Sequence, residues 1–102
     1  MHPLIAAKLD EILELCRRYK VRRLEIFGSA TGDRFNPERS DVDFLVQFLP
    51  LEGRAYPDAY FGLLRELEAL LGRPVDLISA PVIRNPYLRK SIDESRQLVY
   101  AA

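Results

Sequence analysis

Asp41 and Asp43, separated by one valine in Ser40-Asp41-Val42-Asp43-Phe44-Leu45-Val46, stand at the mouth of a run that otherwise reads as a buried strand. Side chains two apart on a strand point to the same face, so the two carboxylates project together from Cα atoms about 6.6 Å apart. Ionised carboxylates among Val, Phe and Leu cost several kcal/mol unless something compensates them. A third acid, Asp76, holds a comparable place in the apolar run Pro74-Val75-Asp76-Leu77-Ile78-Ser79, with Val75 and Leu77 on one side and Asp76 and Ile78 on the other. Three acids converging at one end of a sheet repel one another. A hard divalent cation with oxygen ligands, Mg²⁺ or Mn²⁺, removes that cost most simply. The plainer reading is that Asp41 caps the turn after Ser40 while Asp43 and Asp76 face solvent on edge strands. That reading serves for each acid singly and poorly for all three together.

A glycine and a serine on the other side of the turn add to the pattern. Gly28 lets the backbone turn tightly at a strand end, and Ser29 can begin a short helix whose free N–H groups and hydroxyl face an anion such as a phosphate. Alone, the pair is equally well read as a turn with a serine N-cap. Beside a metal-binding carboxylate pair, a phosphate cradle is the equipment for activating a triphosphate.

The elements that must position these residues follow from periodicity. Residues 4–19 place Ile5, Leu9, Ile12, Cys16 and Tyr19 on one helical face. Strands are expected at 22–28 and 41–48, the second stopping at Pro50, with a loop over 50–58. Tyr60, Leu63, Leu64, Leu67, Leu70 and Leu71 form one face of a helix that Gly72 and Pro74 end. A strand over 74–79 follows, then a helix capped by Asn85, with Pro86 first, running to about Arg96. Residues 97–101 close as an edge strand or a tail. The expected fold is α/β, a small mixed sheet with helices packed on it, in one domain spanning 1–102.

The chain has 102 residues, with 15 Lys plus Arg against 15 Asp plus Glu. A zero formal charge supplies no basic surplus for neutralising nucleic-acid phosphates, so strong nucleic-acid binding is not expected. The lone Cys16 cannot form an internal disulfide, and no apolar run reaches signal or membrane-span length. Both features point to a cytoplasmic protein.

The stretch Gly28-Ser29-Ala30-Thr31-Gly32 through Ser40-Asp41-Val42-Asp43 resembles the signature of the nucleotidyltransferase superfamily related to DNA polymerase β, in which Gly-Ser precedes an Asp-x-Asp pair by about ten residues. The match is closest to minimal nucleotidyltransferases, whose pattern continues to a third carboxylate as in Pro74–Ser79, and the segment from Arg84 to Ala102 resembles their closing segment. One departure stands out: where many relatives have Arg-Gly, this chain has Gly32 one place early and Arg34 displaced. The resemblance implies transfer of a nucleotide from ATP to an acceptor hydroxyl. Asp41 and Asp43 would hold two Mg²⁺ ions. Asp76 would complete one ion's site and help deprotonate the acceptor. Gly28 and Ser29 would bind the β and γ phosphates, and Ser40 would orient the Asp41 turn. Arg34, Arg39 and Arg84 are candidates to balance phosphate charge.

No residues remain for an acceptor-binding domain, so a second chain must complete that site. Minimal nucleotidyltransferases act as antitoxins beside a HEPN-domain ribonuclease toxin and adenylylate a toxin tyrosine, so the resemblance implies a protein adenylyltransferase with a HEPN toxin partner. Two alternatives stay open: a non-enzymatic module that neutralises the toxin by occlusion, and transfer to a small molecule or an RNA end. The cations Arg17, Arg18, Lys20, Arg22 and Arg23 are read as favoured by a helix C-terminus. Tyr60 is read as core, Tyr87 as a partner contact, and Phe27, Phe44 and Phe48 as sheet core.

Overall fold

Where one helix is expected over residues 4–19, the chain forms two, α1 (Pro3–Ala6) and α2 (Leu9–Arg18). The computed structural model, which describes residues 1–32, 36, 41–79 and 85–102, shows what divides them. The His2 N–H donates to the Ala30 carbonyl at 2.8 Å, the His2 imidazole accepts the Leu4 N–H, and Ile5 is sunk into the core. These tethers hold the first turn, and α2 begins afresh at Leu9. Beyond α2, Lys20 takes a left-handed φ of 58° and turns the chain into β1 (Val21–Phe27).

A 3₁₀ turn, Gly28–Thr31, ends β1. Strand β2 (Val42–Phe48) runs antiparallel to β1, with Phe27 opposite Asp43. Helix α3 (Ala55–Leu71) starts inside the expected loop, which shortens that loop to its first few residues. Pro57 made the segment look broken, yet it occupies the third helical position, where its missing N–H would have had no partner. Gly72 ends α3 at φ 65°, donating its N–H to the Glu68 carbonyl.

Because α3 carries the chain back across the sheet, β3 (Val75–Ser79) lies parallel to β2. Helix α4 (Pro86–Ser95) is capped as expected: the Asn85 side chain accepts the N–H groups of Tyr87 and Leu88. Residues Gln97–Ala101 form β4, antiparallel to β1, which decides between strand and tail. The order β3-β2-β1-β4 is a mixed four-stranded sheet.

The two faces of the sheet differ. Leu24 and Ile26 of β1, Val42, Phe44 and Val46 of β2 and Leu77 of β3 pack with Ile12, Leu15, Cys16, Leu63 and Leu67 of the helices in the main core. Burial pushes the Cys16 thiol up to about 12, as befits a core residue with no thiolate chemistry. Gly62 has a packing reason: a Cβ there would meet the Tyr19 ring at 2.5 Å. The opposite face carries a smaller cluster of Phe27, Leu45 and Ile92 with Ile78 packed against it. Phe27 thus serves this second cluster, while Phe44 and Phe48 serve the first. Among the described residues, no helix is long and apolar enough to cross a membrane.

Leu67 is fully buried where α3 meets the sheet. Leu67→Ala is expected to cost about 2–5 kcal/mol by leaving a cavity, read as a lower urea midpoint at unchanged slope.

Candidate active site

Residues of one sheet face alternate along β2, so Asp43, Leu45 and Gln47 stand opposite the side of Phe44 and Val46. In β3 the register pairs Asp43 with Asp76 directly, and Leu45 with Ile78. Side chains of register partners share a face, which sets the two carboxylates side by side on the thinly covered side. Asp41 immediately precedes β2 and is exposed, as is Asp76, while Asp43 is half-buried. The strand ends thus bring the three expected acids to one edge of the sheet.

Their mutual influence is visible at Asp43. Its carboxyl is pushed up to about 6, first by burial and then by the charges of Asp76 and Asp41. Among the described residues, none of the three acids is ion-paired to a lysine or arginine. Nor, among those residues, do three acidic, His or Cys side chains already stand close enough to cage an ion. The donor set nonetheless fits a hard divalent cation, being all oxygen and electrostatically crowded.

The 3₁₀ turn lies against this edge. Gly28 has φ +74°, and a Cβ built on it would fall 2.6 Å from Asp43 Oδ2. Glycine is therefore required twice, by conformation and by the carboxylate at its back. The Thr31 hydroxyl donates to the Gly28 carbonyl at 2.7 Å, and the Gly28 N–H donates to Ser95 Oγ at 2.9 Å. Ser29 follows, half-buried, at the start of the turn. Gly32 has an extended backbone with φ −144° and, among the described residues, open space about its Cα, so neither its conformation nor a contact with them requires glycine there. Ser40, Arg34, Arg39 and Arg84 lie outside the described residues.

Three features had little or no sequence signal. Ser95 reaches Gly28 across 67 positions. Tyr56 and Tyr60, one helical turn apart on α3, line the β3 edge: the Tyr56 and Ser79 hydroxyls bond, and the Tyr60 hydroxyl donates to the Leu77 carbonyl. Burial, then Asp76, then Tyr56, raise the Tyr60 phenol. Their i, i+4 spacing was the available clue. Glu25, buried on the thinly covered face, is held by Arg23 at 3.0 Å and Arg96 at 3.3 Å. Of the basic run from the last turn of α2 into β1, Arg17 pairs with Glu14 and Arg18 with Glu66, as Arg23 does with Glu25. Tyr87 is 84% exposed on α4 and open to a partner.

An Asp whose folded pKa is raised from 3.8 to about 6 destabilises the fold once it ionises. Stability conferred by the protonated form is present below about pH 4 and is lost as pH rises through about 6. Asp43→Asn should therefore melt progressively higher than the metal-free parent across that window, and the gap should level off above it. Gly28→Ala is expected to lower stability by about 1–2 kcal/mol from the left-handed backbone alone, read by thermal melting.

Comparison with known proteins agrees with this geometry. The family described as the nucleotidyltransferase domain matches residues 9–99. Two inferred protein adenylyltransferases of Methanocaldococcus jannaschii are 40% and 41% identical, the first covering 90% of this chain and 96% of its own length, the second 94% and 90%. Among solved structures, a chain from the complex of a tri-AMPylated Shewanella oneidensis HEPN toxin with an MNT antitoxin covers 95% of this chain and 72% of its own at TM-score 0.64 and 19% identity. A chain of a toxin–antitoxin complex with AMP-PNP superposes at TM-score 0.67 and 21% identity, covering 92% and 73%. An inferred minimal nucleotidyltransferase does so at TM-score 0.61 and 28% identity, covering 91% and 90%. The two complexes share the fold, and the sequence matches, running through the Gly28–Ser29 turn and all three acids, place the chain in the nucleotidyltransferase domain family.

Proposed function

We propose that this chain transfers AMP from ATP, with Mg²⁺, to a tyrosine hydroxyl of a partner HEPN-domain toxin, and so acts as that toxin's antitoxin in the cytoplasm. The observation that carries the reading is the register pairing of Asp43 with Asp76 beside the Gly28–Ser29 turn. Family membership supports nucleotidyl transfer. The relatives' names support a protein acceptor, and the complexes that share the fold support a HEPN toxin and an adenine nucleotide.

In the proposed reaction the tyrosine oxygen bonds to the α-phosphorus of ATP as the bond to pyrophosphate breaks, and Asp76 takes the phenolic proton. Asp41 and Asp43 would hold two Mg²⁺ ions, with Asp76 completing one site; bound there, the metal would offset phosphate charge and stabilise the attacking and leaving oxygens. Ser29 contributes its hydroxyl to the terminal phosphates, Gly28 contributes the shape of the turn, and Ser40 orients the turn into Asp41. The 102 residues act as one catalytic domain whose acceptor site the toxin completes.

The test is mass spectrometry of this protein and the product of its neighbouring gene after incubation with ATP and Mg²⁺, beside the Asp41→Asn, Asp43→Asn double variant. An adenylyl-sized gain on a tyrosine of the neighbour, absent with the variant, is the expected outcome. A complex that forms without any mass gain would replace enzyme with occlusion. Mg²⁺ with ATP, each at millimolar concentration, should also raise the parent's melting temperature and leave the double variant's unchanged.

A further inference from the structure

The end of α4 meets the Gly28 turn through the Ser95 side chain. Ser95 Oγ donates its one proton to the Ser91 carbonyl at 3.0 Å, which leaves its lone pairs to accept the Gly28 N–H at 2.9 Å. The hydroxyl is thus oriented by its own helix to act toward Gly28 as an acceptor. Helix α4 is itself fixed close by. Ile92, three residues earlier, is buried at 1% exposure against Phe27 and Leu45. Arg96, the next residue, caps the helix with its N–H on the Ile92 carbonyl and reaches both Asp93 at 3.1 Å and the buried Glu25 of β1.

Gly28 is consequently held at both ends of its backbone, its N–H by Ser95 and its carbonyl by the Thr31 hydroxyl. Its Cα stands against the Asp43 carboxylate with no room for a methyl group between them. Movement of Gly28 would shift the backbone packed against the Asp43 carboxylate and displace Ser29, the next residue, with it. We infer that Ser95 is a positioning residue of the nucleotide site: through the Gly28 N–H, α4 sets the phosphate turn and the Asp43 carboxylate in their mutual places before a triphosphate arrives. The Gly28 N–H is committed to this latch and is not a phosphate donor. This rests on the reading of the Gly28–Ser29 turn as the triphosphate site.

Three measurements on purified Ser95→Ala, Ser95→Thr and parent protein test it: amide hydrogen exchange at Gly28 by NMR, binding of Mg²⁺·AMP-PNP by calorimetry, and thermal melting. Removing the acceptor should speed Gly28 exchange at least about tenfold and weaken AMP-PNP about three- to tenfold, the worth of one ordinary hydrogen bond. Ser95→Thr, which keeps the hydroxyl, should restore both. A merely structural role would lower the melting temperature without a selective change at Gly28 or in nucleotide affinity, and that result overturns the inference. So does unchanged AMP-PNP affinity in Ser95→Ala with Gly28 exchange released. Should Ser95→Ala fail to fold, Ser95→Thr and parent must still match at Gly28 and in affinity, and a mismatch overturns the inference. If the parent itself binds no Mg²⁺·AMP-PNP, the triphosphate reading of the turn falls, and Gly28 exchange separately shows whether the latch exists.

Discussion

The structure turns on a repulsion that the fold enforces. Parallel pairing of β2 with β3 sets Asp43 directly against Asp76, with Asp41 two residues upstream, and no lysine or arginine among the described residues pairs with any of them. A protein selected only for stability would place a cation or an apolar residue there, since crowded, half-buried carboxylates are penalised twice, by desolvation and by one another. The penalty falls on Asp43, the most enclosed of the three. Strain of this kind concentrates where a ligand relieves it.

Much of the remaining described architecture lies on the other face of the sheet. The main core lies on the far side of the sheet under α2 and α3, where Ile12, Leu63 and Leu67 are fully buried. On the near side, among the described residues, α4 is laid down through Ile92 against Phe27 and Leu45 and through the Arg96–Glu25 pair. An open cavity of about 220 Å³ there is lined in part by paired charges, Glu25 with Arg23 and Arg96, and Arg96 with Asp93. The crossover through α3 is what makes β3 parallel to β2, and an antiparallel neighbour would not have put position 76 at the same end of the sheet.

Nucleotidyl transfer asks little covalent chemistry of a protein and much positioning of charge. Here one end of the sheet carries three carboxylates beside a tight turn. Gly28 joins the two, since its missing side chain admits the Asp43 oxygen and its positive φ starts the turn that carries Ser29.

What is local is legible in the chain alone: alternation that marks β1 and β2, the leucine face of α3, the Gly72 stop, the Asn85-Pro86 start, and the acids whose spacing puts them on one strand face. These follow from periodicity and capping, which act over a few residues. The start of α3 is misread there, where a proline in the first turn mimics a loop, and the break at Ala7–Lys8 is missed because the tether from His2 to Ala30 is long-range. Only the tertiary structure decided that Asp76 stands opposite Asp43, that β4 pairs with β1, and that Ser95 holds Gly28. Each depends on segments distant along the chain meeting in a single register. Burial of the opposite face selects that register, since a slip of one residue would turn Phe44 and Val46 outward and Asp43 into the core.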